Sequence, residues 1–168
     1  MNIELKNVKF YERFSQETNA FDAFVYINGV KALYAKNDGC GGSTDYQLTD
    51  IKHKGLVEKA EQFCLALPPT NYGTFELKMN LEHKIDQLFE DWLKNKDKEK
   101  LDKKLLKDMQ KGLCFKTNNG YMVLTWKNHT IQSLLSVEQG RTVLKNKIAQ
   151  LKDEGKEILN TNIPQELL

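Results

Sequence analysis

Phe21, Ala23, Val25 and Ile27 alternate with Asp22, Phe24 and Tyr26. This period of two predicts a strand with one buried face. Asn28-Gly29 follows, and both central positions of a type I′ hairpin turn need positive φ, which Asn-Gly meets best. Val30, Ala32 and Tyr34 then predict a returning strand whose apolar side chains share the face of Val25 and Ile27. Upstream, Ile3 and Leu5 give way to Val8 and Phe10, and the phase change at Asn7 predicts a bulge or bend in a first strand. Strands over residues 2–11 and 20–37, joined through residues 15–19, make a three-stranded meander.

Beyond residue 50 the period changes. Leu56, Ala60, Phe63, Cys64 and Leu67 recur at helical spacing, and Pro68-Pro69 ends that helix. Residues 70–73 read as a loop. Asn80 is a candidate N-cap for a long amphipathic segment in which Leu81, Ile85, Leu88, Phe89, Trp92 and Leu93 form a wide stripe. Residues 94–100 are wholly polar before Leu101, Leu105 and Met109 resume a narrower stripe, so either one long helix or two meeting near Asn95 fits. Gly112 reads as the residue closing it. A second hairpin is predicted at Asn119-Gly120 with the same turn chemistry, both its faces partly apolar and the pair well buried. Ser136 with Gln139 resembles a capping box for a last helix carrying Leu144, Ile148, Leu151 and Ile158, interrupted at Gly155. Residues 46–51 read as a short strand. Together these elements predict one α+β domain over residues 1–168: an antiparallel sheet built from the meander and the second hairpin, with three to four helices including a long charged one.

Charge refines this picture more than it decides function. The 25 Lys and Arg against 23 Asp and Glu leave a net charge of +2, which is no global field for nucleic acid. Arg13 and Arg141 are the sole arginines, whereas dedicated phosphate readers lean on the bidentate Arg fork. Locally, residues 81–93 hold one Lys against four acids and residues 94–111 hold eight Lys against four acids, an order that suits the helix dipole. The odd count of three cysteines, Cys40, Cys64 and Cys114, fits neither a disulfide framework nor a paired zinc site and predicts reduced thiols and a cytoplasmic setting. No apolar run approaches the ~18 residues of a membrane span, and residues 1–4 do not open as a signal peptide does.

The candidate chemistry concentrates in the loop that leaves the first hairpin: Lys36, Asn37, Asp38, Gly39, Cys40, Gly41, Gly42, Ser43, Thr44, Asp45 and Tyr46. Three glycines within four residues allow positive φ at an entropic cost. Successive amides in such a loop can form an anion nest, although neither a P-loop ending nor a dinucleotide fingerprint is present. The plainer reading is a wide turn in which Asp38 and Asp45 bond nearby amides, and a loop shaped to contact a macromolecular partner lies between. Asp22, Asp38, Asp45 and Asp50 hold no spacing that demands a metal, and no His pair does so either, so no cofactor or metal is expected. Cys40 has no base near it in sequence to make it a nucleophile. Lys52, His53 and Lys54 form a small basic spot, and Lys94, Lys96, Lys98, Lys100, Lys103, Lys104, Lys107 and Lys111 could track a polyanion or simply form a solvated helix face. Phe24, Tyr26 and Tyr46 lie on strands, where packing is the simpler role than base stacking.

Residues 26–31, 34–39 and 41–46, with Leu77-Lys78-Met79-Asn80-Leu81-Glu82 and Lys156-Glu157-Ile158-Leu159-Asn160-Thr161-Asn162, resemble a family of small uncharacterised proteins encoded on phages and mobile elements of Bacteroidota. The resemblance spans most of the chain and implies a setting rather than an activity. Accessory proteins of that kind bind host machinery, including CRISPR effectors. With no catalytic signature in the sequence, the expected function is a non-enzymatic protein that binds and inhibits or modulates a host protein or nucleoprotein complex. A nucleic-acid-binding protein using the Lys-rich helix and a metal-dependent enzyme acting on nucleotides or RNA through the Asp38 and Asp45 loop are the alternatives.

Overall fold

Asn28 and Gly29 take φ of 49° and 83°, the two positive values of a type I′ turn. They join β2 (Phe21–Ile27) to β3 (Val30–Asn37) in the structure, a computed structural model that describes residues 1–71 and 73–168. β1 (Ile3–Phe10) pairs antiparallel with β2, and its register shifts between Lys6 and Lys9 around Asn7, whose φ is 53°. The phase change in the sequence is therefore a bulge. β4 (Asp45–Leu48) pairs with β3 and completes a four-stranded meander in the order β1-β2-β3-β4.

A second bulge was not legible. Tyr26 faces Lys31 while Val25 faces Leu33, so Ala32 is an extra residue. It reverses the phase of β3: Leu33, Ala35 and Asn37 are buried, Tyr34 turns to the opposite face beside Phe24, and Val30 is left exposed. The shared face predicted for Val30, Ala32 and Tyr34 thus holds for Val30, which stands opposite Ile27, and for Ala32, and fails at Tyr34. α1 (Lys54–Leu65) buries Val57, Ala60 and Cys64 against the sheet and stops before Pro68-Pro69. In place of the loop expected over residues 70–73, β5 (Thr70–Asn71) pairs with β6 (Glu76–Leu77); Tyr72, part of that expectation, lies outside the described residues.

α2 (Leu81–Lys111) is one helix of 31 residues. Asn80 caps it as expected, its Oδ1 accepting from the His83 N–H at 2.7 Å. The chain divides into two compact units, Met1–Asn95 and Lys96–Leu168, and the division falls within α2 rather than in a linker. In the first unit Leu81, Ile85 and Phe89 join the core, where the Phe21 and Phe89 rings stack with centroids 4.0 Å apart.

The second unit has its own core around Leu113, Ile131, Leu144, Ile148 and Leu151. β7 (Gly112–Thr117) and β8 (Gly120–Thr125) form a separate two-stranded ladder and add no strands to the meander, whose fourth place β4 has taken. The turn is Asn118-Asn119, and the positive φ falls on Gly120, at 133°, so the register differs by one from the first hairpin's chemistry. β7 is buried over Leu113, Cys114 and Phe115, whereas Met122 on β8 is exposed. Gly112 opens β7 instead of capping α2, because a Cβ there would fall onto the Leu124 carbonyl. The capping box is built by Thr130 and Ser133 at α3 (Ile131–Leu135), not by Ser136 and Gln139. α4 (Glu138–Asp153) ends where the sequence showed an interruption: Gly155 takes φ 73°, its N–H reaches Lys152 O at 2.9 Å, and Lys156 N–H reaches Leu151 O at 2.9 Å. That pair of bonds is a Schellman close, and it frees Ile158 to bridge Phe115 on the outer edge of β7.

Candidate functional site

The glycine loop is braced by the buried Asn37 at the end of β3. Its Oδ1 accepts from Gly39 N–H at 2.9 Å and from Thr18 Oγ1 at 3.0 Å, and its Nδ2 donates to Gly42 O and Thr44 Oγ1, both at 3.1 Å. Gly39, at φ 86°, turns its carbonyl to the N–H groups of Gln16, Glu17 and Thr18 at 2.9, 3.1 and 3.3 Å. Gly41 N–H donates to Thr18 Oγ1 at 3.2 Å, Cys40 N–H to Asp38 Oδ1 at 3.3 Å, and Thr44 N–H to Glu82 Oε1 at 3.2 Å. The amides of Gly39, Cys40, Gly41 and Thr44 are thus occupied within the chain. They do not form the anion nest that consecutive free amides would make. Asp38 bonds an amide as the turn reading expects, but the larger bracing role falls to Asn37, while Asp45 stands opposite Lys36 on β4.

Beside the loop lies a cleft of about 340 Å³. Glu82, Asp86 and Glu90, spaced one helical turn apart on α2, face Glu17 from the segment before β2; His83, Asn37 and Ser43 also line it, and Phe21 and Phe89 form its apolar floor. Thr44 Oγ1 donates to Asp86 Oδ1 at 2.5 Å. Burial pushes the Asp86 carboxyl up from its ordinary range, the Thr44 bond opposes this, and Glu82 adds to the rise. A carboxyl with a raised folded pKa binds protons in the folded state that the unfolded chain has released. Asp86 therefore costs stability as pH rises above its ordinary value of 3.8. Asp86→Asn keeps an acceptor for Thr44 and is expected to raise the melting temperature at pH 7, with the gain shrinking in melts run stepwise down to pH 4. The i, i+4, i+8 spacing of the three acids was the signal in the sequence for this cleft; the segment's net charge alone did not reveal that they share a face.

The sequence-predicted loop residues do not form one surface. Asp38, Gly41, Gly42, Ser43 and Asp45 are exposed on the rim, Asn37 and Thr44 act as internal struts, and Gly39 is enclosed. Lys36 projects from the open face of the sheet, in register with Asp22. Tyr46 turns inward, donates to Glu61 Oε1 at 3.0 Å, and its phenol is pushed up to about 12 by burial first and by that bond second.

The basic candidates are partly neutralised. Lys52 pairs with Asp50 at 2.9 Å, Lys54 with Glu58 at 4.0 Å, and His53 ends the short turn before α1. On α2, Lys94, Lys96, Lys100 and Lys111 meet carboxylates three or four residues away, at 3.3 to 3.9 Å. Such exposed pairs contribute little. Lys98, Lys103, Lys104 and Lys107 meet no carboxylate within ion-pair distance among the described residues. Cys40 is exposed, with Cys64 and Cys114 buried. Among the described residues no three His, Cys, Asp or Glu side chains converge to hold a metal ion, and no helix is long and apolar enough to cross a membrane. Neither protein-family models, nor curated proteins, nor solved structures give a match to this chain.

Proposed function

We propose that this chain is a non-enzymatic accessory protein of a phage or mobile element that acts in the host cytoplasm, binding and inhibiting or modulating a host protein or nucleoprotein complex. A CRISPR effector is the kind of target this fits. The observation that carries the reading is the rigid rim beside the acidic cleft. Asp38, Gly41 and Gly42 on that rim are already held by internal hydrogen bonds, so docking there costs little ordering entropy. Four carboxylates around an apolar floor suit a Lys or Arg side chain of a partner, which would gain charge-assisted hydrogen bonds as water leaves. The phage and mobile-element setting is supported by the resemblance alone.

Ser43→Trp would block the rim and Glu90→Lys would reverse charge at the mouth of the cleft. The experiment presents immobilised full-length chain and both variants to purified CRISPR effectors and to lysate of the host cell. Wild type is expected to retain one stoichiometric partner, with recovery lowered at least about tenfold by either substitution and melting temperatures unchanged. Equal recovery by wild type and both variants, or no stoichiometric partner for wild type, overturns the proposal. The nucleic-acid reading is favoured by Lys98, Lys103, Lys104 and Lys107, which remain available for phosphates; binding through them must weaken steeply with salt.

A further inference from the structure

The meander's open face carries a feature that the glycine loop does not use. α1 and the first half of α2 cover one side of the sheet through Val25, Leu33 and their neighbours. The other side presents Phe24, Tyr26 and Tyr34, each half-buried, with Lys6, Lys31 and Lys36 exposed around them. Phe24 and Tyr34 are direct cross-strand partners with ring centroids 5.5 Å apart, and Tyr26 lies two residues further along β2, about 7 Å away by strand geometry. Two rings already hold a cation: Lys31 Nζ sits 3.3 Å from the Phe24 centroid and Lys6 Nζ 4.6 Å from that of Tyr26. Lys6 also reaches Glu4 at 3.4 Å, and Asp22 faces Lys36 in register.

We propose that this face is a binding platform for single-stranded nucleic acid. Every base has a π face that can stack on an exposed ring, whatever the sequence. The rings are spaced to take successive bases of an extended strand. A base arriving on Phe24 or Tyr26 displaces an ammonium on a flexible four-carbon stem, and that ammonium remains within reach of the phosphate joining the bases. Ring faces and mobile cations on one sheet surface complement the two chemical components of a single strand, stacked bases and charged backbone. A duplex offers phosphates but no free base face. This inference is independent of the acidic cleft, whose charge would repel the same ligand.

The test is fluorescence anisotropy of the full chain with labelled 12-nucleotide U-rich RNA, the matching T-rich DNA and a duplex, at 50 and 200 mM salt. Phe24→Leu, Tyr26→Leu and Tyr34→Leu keep apolar bulk and remove the aromatic face, and circular dichroism confirms that each variant folds. Wild type is expected to bind RNA, DNA or both single strands more tightly than the duplex, with affinity falling as salt rises. Each Leu variant should lose about tenfold, and the tighter of the two strands identifies the natural class. The proposal is overturned if wild type binds neither strand at 50 mM salt. It is also overturned if binding survives all three ring substitutions, or if Lys103→Glu with Lys107→Glu abolishes it while the ring variants do not.

Discussion

Replacing Gly39 by Ala is expected to lower the melting temperature by about 10 °C, from a loss of ~3 kcal/mol at ~2–4 °C per kcal/mol for a chain of this size. Two effects add. At φ 86° an L side chain is strained, at about 1–2 kcal/mol. The added Cβ would also fall onto the Phe14 carbonyl oxygen and stand 2.8 Å from the Ala20 Cβ, and neither can yield without moving backbone or core. Relief requires Gly39 to shift, and its carbonyl then leaves the N–H groups of Gln16, Glu17 and Thr18. Gly42 supplies the control, having ordinary φ and open space where a Cβ would go; Gly42→Ala is expected to stay within about 0.5 kcal/mol. At Gly41 the obstacle is the Glu17 carboxylate, a flexible side chain that can swing away, so Gly41→Ala should fall between the two. Differential scanning calorimetry of the three variants checks the order. Equal melting temperatures for Gly39→Ala and Gly42→Ala would show that the loop is not the rigid rim described above.

That ordering also shows what the sequence could and could not convey. Three glycines in four residues announced an unusual backbone, and two of them do take positive φ. Which glycine is indispensable depends on what lies across from it, and Phe14 and Ala20 are nineteen or more residues away in sequence. The same limit applies to the cleft. Asn37 read as one polar residue in a loop, yet its side chain spans Thr18, Gly39, Gly42 and Thr44, a set that exists only once β2 and β3 have paired. Local signals survived well: the Asn28-Gly29 turn, the bulge at Asn7, the Asn80 cap and the stop before Pro68 are each decided within a few residues. The bulge at Ala32 escaped because Ala fits either face of a strand, so the pattern kept a plausible phase through it. With the phase inverted, Tyr34 moved from the predicted core to the open face, and with it went the sign that this face carries three rings rather than two.

Asn160→Ala is expected to cost ~4 kcal/mol and to lower the melting temperature by more than about 10 °C. Asn160 is 4% exposed and makes contacts no apolar residue can replace. Its Oδ1 accepts from the Cys114 N–H at 2.6 Å; its Nδ2 donates to Gly112 O at 3.1 Å, Met109 O at 3.3 Å and Asn162 Oδ1 at 2.9 Å. Removing the amide leaves the buried Cys114 N–H without a side-chain partner and the Gly112 carbonyl with only the weak Cys114 thiol donor at 4.0 Å, at about 1–3 kcal/mol each. Met109 O retains the Asn162 Nδ2 at 2.8 Å; Asn162→Ala, which removes that donor and the Oδ1 that accepts from Asn160 but leaves the other bonds of Asn160 in place, should cost about 1 kcal/mol. Asn160→Asp separates acceptor from donor. It preserves an oxygen for Cys114 but sets a second oxygen against the Gly112 and Met109 carbonyls, and at neutral pH it should be at least as damaging as Ala. The consequence reaches beyond one residue, because Asn160 fixes the segment whose Leu159 N–H bonds Cys114 O at 2.9 Å and whose Glu157 O accepts from Lys116 N–H at 2.9 Å. Amide hydrogen exchange should therefore report early loss of protection at Lys116 and Leu159 in Asn160→Ala, with Val25 and Leu33 in the meander unaffected. Native protection at Lys116 and Leu159 in that variant would show that apolar contacts of Ile158 and Ile163 hold the segment, and that the amide network is incidental.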